Sequence, residues 1–303
     1  MIVLLAGGTG GAKLAAGIAD AAGPDQLAVI ANTGDDHDFF GVHVSPDPDL
    51  VTWWLAGSID ARGWGIEGDT WGVMEALEAA GAPAWFRMGD RDLAMCLIRT
   101  AAMVSGRSQT EAHAEVVRAA GVGARVIPMS DEPVRTRVLT DAGWRPFQEF
   151  MIVDRAEPEI RGVKIDGADR ARPSPEALAA IETAQAIVIG PSNPVVSIGP
   201  ILAVPGMREA IERSSAPVVA VSPWVGGRAV KGPTDAFASH AGLPRGAAGA
   251  ARAYAGLIDG LVADEPCDAI PALETPTLMS DRASRRRVAA ETLQFAATLS
   301  ASG

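Results

Sequence analysis

The chain has 303 residues, with 26 Lys and Arg against 37 Asp and Glu, for a formal net charge of −11. Hydrophobic residues make up 48 % and charged residues 21 %, enough apolar material to offset chain entropy, which excludes a disordered protein. The acidic balance excludes a broad nucleic-acid footprint, which needs clustered Lys and Arg, and no apolar run approaches the roughly 18 residues that span a bilayer.

Residues 2–6 read as a buried strand, followed by Gly7 to Gly11 and a helix over 12–22. The N-terminal run enters the glycines without a basic leader or a cleavage segment, so no signal peptide is expected. Residues 27–31 read as a second buried strand. Ser108 with Glu111 fits a capping box before a helix over 112–120. The β-rich runs 134–139, 147–153 and 160–165 mark a small antiparallel insertion over 128–172. Ser174 and Pro175 fit an N-cap and first-turn proline before a helix over 176–184. Residues 186–189 and 217–221 are further short buried strands, and a last helix covers about 281–299. Its basic knot, Arg285 to Arg287, reads as a solvated face.

Continuous apolar strands alternating with helices give an α/β fold class: a mostly parallel sheet covered by helices on both faces, with a β-rich insertion. The core is expected over 1–127 and 173–303, the insertion over 128–172. Cys96 and Cys267 are the only cysteines. They make no disulfide framework and no Cys-x-x-Cys zinc site, so a reduced, cytoplasmic compartment is expected.

The segment Gly7-Gly8-Thr9-Gly10-Gly11-Ala12-Lys13 joins the first strand to the first helix. Glycines there let the backbone approach a phosphate, and the helix start supplies free N–H groups. It is not a Walker A loop, because Lys13 is followed by Leu14 rather than Ser or Thr. It misses the dinucleotide fingerprint too: Lys13 stands at the third glycine position, and the second strand ends in Asn32 rather than an acidic residue. A tight strand–helix turn explains one glycine; the full run favours a phosphate cradle.

Asp35, Asp36, Asp38, Asp47 and Asp49 follow the second strand. Carboxylates suit Mg²⁺ or Ca²⁺, and Mg²⁺ is usually held by one or two of them together with substrate phosphates. A solvated acidic turn is the competing reading, and Phe39, Phe40 and Val42 argue that the loop packs. An EF-hand fails, since Phe40 replaces the third oxygen ligand and Asp47 stands where Glu is needed. His37 and His43 are too isolated for zinc, and a surface or hydrogen-bonding role is expected.

The motifs GGTGGAKL (7–14), NTGDD (32–36), PDPD (46–49), WGIEGDTW (64–71), GDRDLA (89–94), SDEPVRT (130–136), FQEFMIV (147–153), GPSNPVVSIGPIL (190–202) and SPWVGGRAVKGPTD (222–235) occur in this order. Together they closely resemble the 2-phospho-L-lactate transferase family of coenzyme F-420 biosynthesis. The resemblance runs over about residues 1–265; the tail from about 270 carries none of the motifs. It implies a Rossmann-like fold, commonly dimeric, and Mg²⁺ as cofactor. It also implies a reaction: a guanylylated phospho-acid donor gives its phospho-acid part to the terminal ribityl hydroxyl of the deazaflavin Fo, and GMP leaves.

On that resemblance Asp35 and Asp49 are the expected metal ligands, with Asp36 and Asp47 beside them. Gly8, Thr9, Gly10, Gly11 and Lys13 hold the donor phosphates, with Asn32 close by. Ser192 and Asn193 contact the nucleotide, although Ser192 equally suits a helix-start turn. Gly89, Asp90 and Arg91 lie near the deazaflavin or the acid; whether Arg91 pairs a substrate anion or Asp90 or Asp92 stays open. Trp64 and Trp71 either stack on the deazaflavin or pack in the core, and Lys231 is either an anion contact or an exposed loop lysine. Asp36 or Asp49 serves as general base, unless a metal-activated hydroxyl needs none. Trp224 and the Met95-Cys96 pair depart from the family pattern and leave phospholactate, phosphoenolpyruvate and phosphoglycerate donors open. The partners expected are Fo, the donor and a second copy of the chain, with no nucleic acid and no membrane. A nucleotide-sugar-binding regulator and a NAD(P)-dependent oxidoreductase are the alternatives.

Overall fold

The computed structural model describes residues 1–300. The first half runs β1 (Ile2–Ala6), α1 (Gly8–Ala22), β2 (Leu27–Ala31), a hairpin of β3 (His37–Phe39) and β4 (Val42–Val44), α2 (Pro46–Leu55), α3 (Gly72–Ala79), α4 (Asp90–Val104), α5 (Gln109–Ala119) and β5 (Arg125–Pro128). The next part is β6 (Arg135–Thr140), β7 (Gly143–Pro146), α6 (Phe147–Ile152) and β8 (Gly162–Asp166). The last part is α7 (Pro175–Glu182), β9 (Ala186–Ile189), α8 (Ile198–Ala203), α9 (Met207–Arg213), β10 (Val218–Val221), a ribbon of β11 (Trp224–Val225) and β12 (Arg228–Ala229), α10 (Thr234–His240), α11 (Gly246–Ala253), β13 (Gly260–Ala263), β14 (Ala272–Glu274) and α12 (Arg282–Ser300).

Seven strands form one parallel sheet in the order β14-β13-β10-β9-β1-β2-β5. The winding reverses between β1 and β9, and a doubly wound sheet opens its ligand crevice at the carboxyl ends of the strands flanking such a reversal. Alternate side chains serve opposite faces: Val3 and Leu5 join one core, Leu4 and Ala6 the other. The first core packs against α7, α8, α9 and α11; the second against α1 and α12. A Cβ at Gly17 of α1 would collide with the Arg285 carbonyl, so that glycine lets the two helices meet closely. Among the described residues no helix is long and apolar enough to cross a membrane.

The Ser108–Glu111 capping box forms, with both side chain–backbone hydrogen bonds at 3.0 and 3.1 Å. Ser174 sits at the N-cap of α7, but its hydroxyl donates to the Pro128 carbonyl (2.8 Å) and ties the helix to β5 instead. The expected antiparallel sheet is present, in the order β7-β6-β8. Residues 147–153 do not join it. Phe147, Phe150 and Met151 share a helical face, and α6 packs both rings on Phe237 of α10, with centroids 6.1 and 6.0 Å apart. α1 also starts at Gly8, so the glycines form its first turn rather than a loop before it.

Candidate functional site

The loops after β1 and β9 meet across the reversal. The Gly7 amide donates to Ser192 Oγ (3.2 Å). A Cβ at Gly10 would strike the Pro191 carbonyl, and one at Gly11 would come within 2.7 Å of Ser192 Oγ. Gly10 and Gly11 are therefore glycines for close packing of the two loops. The Gly8 amide donates to Asp47 Oδ1 (2.6 Å). The next amides, of Thr9 and Gly10, lie in the first turn of α1, where the helix supplies no carbonyl partner. Both residues line a cleft of about 610 Å³, with Lys13, Asp35, Asp47, Ser192, Asn193 and Lys231. That volume is in the range of small-molecule sites.

Asn32 at the end of β2 organises the acidic end of the cleft. Its Nδ2 donates to Asp35 Oδ1 (3.2 Å) and Asp47 Oδ2 (2.9 Å), while its Oδ1 accepts from the Gly34 amide (2.8 Å). Both carboxylates are buried, and among the described residues no Lys, Arg or His pairs with either. Burial and then the Asp47 charge push Asp35 well above the usual carboxylate range. Burial pushes Asp47 up to about 6, against the hydrogen bonds from Asn32 and Gly8. Two buried carboxylates with no counter-charge, beside free helix-start amides, form a donor set that fits a hard divalent cation.

The structure corrects the expected second ligand. Asp49 does not line the cleft; Arg99 Nη1 and Nη2 donate to its two oxygens at 2.6 and 2.9 Å. Asp47 lines the cleft instead. Both residues lie in the first turn of α2, and two positions on a helix are about 200° apart, so only one faces the cleft. Asp36 is also turned away from the cleft. It accepts from Ser45 Oγ (2.7 Å) and Gln109 Nε2 (2.6 Å), and His43 Nε2 lies 3.3 Å from it. Burial alone would raise Asp36, but His43, Arg135 and Ser45 hold it below the usual range. Arg99 Nε donates to His43 Nδ1 (3.2 Å), so His43 links the two paired carboxylates. Neither Asp36 nor Asp49 is thus placed as a general base. Asp49, Asp92 and Cys96 bring ligand atoms within 4.8 Å of one another, but Arg99 already holds both Asp49 oxygens and repels a cation there.

Gly89, Asp90 and Arg91 are likewise outside the cleft. Gly89 precedes α4 and packs on Asp69; Asp90 accepts from Thr70 Oγ1 (2.5 Å) and the amides of Gly72 (2.9 Å) and Val73 (3.0 Å). Arg91 pairs with Asp69 (3.6 Å) and donates to the Glu67 carbonyl, so its partner is neither Asp90 nor Asp92. These residues anchor the 58–71 loop, which carries Trp64 to the cleft, 44 % exposed, with the Arg62 guanidinium 4.3 Å from its ring centroid. Trp71 lies outside, between Arg62 and Arg87. Trp224 is fully buried, its Nε1 donating to Asp235 (2.9 Å), and only its neighbours Pro223 and Val225 line the cleft.

Lys13 Nζ donates to the Met279 carbonyl (2.9 Å), and Lys231 Nζ lies 3.5 Å from Thr9 Oγ1. Burial, then Arg285 and Lys231, lower the Lys13 pKa. Asn193 Oδ1 accepts the amides of Val195 and Val196 and shapes the turn before α8. Sequence reasoning missed Arg99, the α6 wall of Phe147, Met151 and Ile152, and the tail residues Thr277, Leu278 and Met279. The helical spacing of Phe147 and Met151 was the one available signal for the α6 wall.

Residues 2–288 match the family described as 2-phospho-L-lactate transferase CofD. The chain is 43 % identical over 270 residues to a phosphoenolpyruvate transferase of Streptomyces griseus, covering 87 % of this chain and 85 % of that protein. It is 39 % identical over 265 residues to a 2-phospho-L-lactate transferase of Methanosarcina mazei, covering 87 % of each. A crystal structure of a UPF0052-family protein from Bacillus halodurans shares the fold at 19 % identity and a TM-score of 0.63, covering 96 % of this chain and 98 % of that one. The α/β architecture, with its parallel sheet and surrounding helices, is thus that of known structures, and the chain is an enzyme belonging to the 2-phospho-L-lactate transferase CofD family of transferases.

Proposed function

We propose that the enzyme moves a phospho-acid group from a guanylylated donor to the terminal ribityl hydroxyl of the deazaflavin Fo, releasing GMP, in coenzyme F-420 biosynthesis. The observation that carries this reading is the Asp35–Asp47 pair, buried without counter-charge beside the glycine turn of α1. Mg²⁺ held by that pair would neutralise the pyrophosphate and polarise its oxygens. Asn32 fixes both carboxylates through one amide group. The first-turn amides of α1, with Lys13 and Lys231, bind the donor phosphates. The ribityl oxygen attacks the phosphorus that bears the acid, a new P–O bond forms, the bond to the bridging oxygen breaks, and GMP takes that oxygen. Asp35 and Asp47 are the only carboxylates among the described cleft residues, so they are the protein's nearest acceptors for the hydroxyl proton. Little covalent work falls to the protein, and positioning with charge neutralisation supplies the acceleration.

The two named relatives carry phosphoenolpyruvate and phospholactate in their names, at 43 % and 39 % identity, which supports those two donors over phosphoglycerate. In this reading the enzyme works in the cytoplasm as a homodimer, and light scattering at twice 31.3 kDa checks the dimer. The test incubates the protein with Fo and each guanylylated acid, with Mg²⁺ or with EDTA, and follows products by mass spectrometry. A metal-dependent adduct of Fo with one acid supports the reading and names the donor. No adduct from folded protein, together with tight binding of a uridine-diphospho-sugar, would replace it with a nucleotide-sugar-binding regulator.

A further inference from the structure

A single guanidinium holds both ends of the segment that carries Asp47. Arg99 is fully buried on α4. It donates from Nε to His43 Nδ1 (3.2 Å) and from Nη2 to the His43 carbonyl (3.0 Å), both in β4. Its Nη1 and Nη2 also grip Asp49 in the first turn of α2. Asp47 lies between these two anchors. Ser45, at the N-cap of α2, donates its hydroxyl to Asp36 (2.7 Å), the chain neighbour of Asp35. His43 Nε2 lies 3.3 Å from the same carboxylate. The back of the acidic loop is thus one connected network through Asp36, His43, Arg99 and Asp49. Each of its carboxylates is one residue from Asp35 or two from Asp47.

Stability alone does not require such a network, because packed apolar residues can replace a buried ion pair at little or no cost. What an apolar set lacks is direction. The planar fork of an arginine fixes the plane of the carboxylate it binds. Asp49 held against α4 sets the rotation of the first turn of α2. Asp47, about 200° round that turn, is then presented to Asn32 and the cleft.

We propose that Arg99 is a positioning residue for the cation site: by clamping His43 and Asp49 it holds Asp47 in register with Asp35. The inference rests on Asp35 and Asp47 as the holders of the cation. Mn²⁺ titration, read by electron paramagnetic resonance of the free ion, tests it beside urea unfolding. The proteins compared are the wild type, Arg99→Lys, the double variant Arg99→Leu with Asp49→Leu, and Asp47→Asn. Arg99→Lys keeps the charge and loses the fork. The double variant removes one charge of each sign. Neither alters the net charge behind the pair, so a change in Mn²⁺ affinity reports geometry. Mn²⁺ affinity falls about tenfold or more in both, as is usual when a partner behind a metal ligand is lost, while the unfolding midpoint of the double variant returns close to that of the wild type. Wild-type Mn²⁺ affinity in the double variant reduces Arg99 to a strut and overturns the clamp alone. Should the double variant unfold too easily to titrate, wild-type affinity in Arg99→Lys does the same. Asp47→Asn protein that binds Mn²⁺ as tightly as the wild type overturns the assignment of the cation pair itself.

Discussion

The acidic stretch after β2 supplies two buried carboxylate pairs with opposite fates. Asp36 and Asp49 are bound from the far side by Arg99, His43 and Gln109, which come from α4, β4 and α5, and Arg99 supplies a full counter-charge to Asp49. Asp35 and Asp47 share a single neutral side-chain amide, that of Asn32, and meet no cationic side chain among the described residues. A buried carboxylate with a bidentate Arg is a strut; one left uncompensated beside a cleft is a site waiting for a ligand's charge. Residue type and spacing do not separate the two roles. The neighbours across the fold do.

The comparison breaks most visibly at Asp35. Asp35→Asn removes half of the unpaired charge, so transfer to Fo falls by about three orders of magnitude or more, followed as product by mass spectrometry. The same variant unfolds no more easily than the wild type in EDTA, because the lost charge had no counter-ion. Arg99→Leu acts the other way. It strands Asp49 and costs about 3–5 kcal/mol in urea unfolding. Pairing it with Asp49→Leu recovers most of that loss, since packed apolar residues can replace a buried ion pair.

The pH dependence of unfolding in EDTA sharpens the contrast further. Asp47 is near 3.8 unfolded and about 6 folded. Between those values the folded state binds more protons, so this group's stability contribution falls as pH rises through that window. Asp36 is held below 3.8 in the folded state, so its contribution is complete above 3.8 and is lost only as pH falls lower. Asp47→Asn flattens the slope between pH 4 and 6, leaving the share of Asp35, which burial raises in the same direction, and Asp36→Asn weakens the acid limb. A slope between pH 4 and 6 that is the same in Asp47→Asn as in the wild type contradicts the assignment. The smallest effect is expected at Lys231→Ala, a few-fold rise in KM for the donor, because this exposed lysine shares its charge with Lys13.

Much of the scaffold was legible in the sequence. Short apolar runs at 2–6, 27–31 and 186–189 are buried on both faces and admit few other readings. The place of the glycine turn between β1 and α1 was legible too, but that Gly10 and Gly11, read as phosphate holders, pack where any Cβ would strike the Pro191–Ser192 loop was not. The choice between Asp47 and Asp49 was hidden because 46–49 read as a loop. Taken as a proline-initiated helix, the same residues place their carboxylates on opposite sides. Arg99 was hidden for a different reason. Its partner lies fifty residues away in sequence, and nothing local distinguishes it from a solvated arginine. The GDRD stretch looked like chemistry, yet its charges are spent on the backbone amides and side chains of the loop that carries Trp64.

The most direct test of the central claim is a crystal soaked in Mn²⁺ and examined by anomalous scattering. The account predicts a single strong peak between Asp35 and Asp47, absent from Asp35→Asn crystals. A peak at Asp49, Asp92 and Cys96, with none between Asp35 and Asp47, would contradict it.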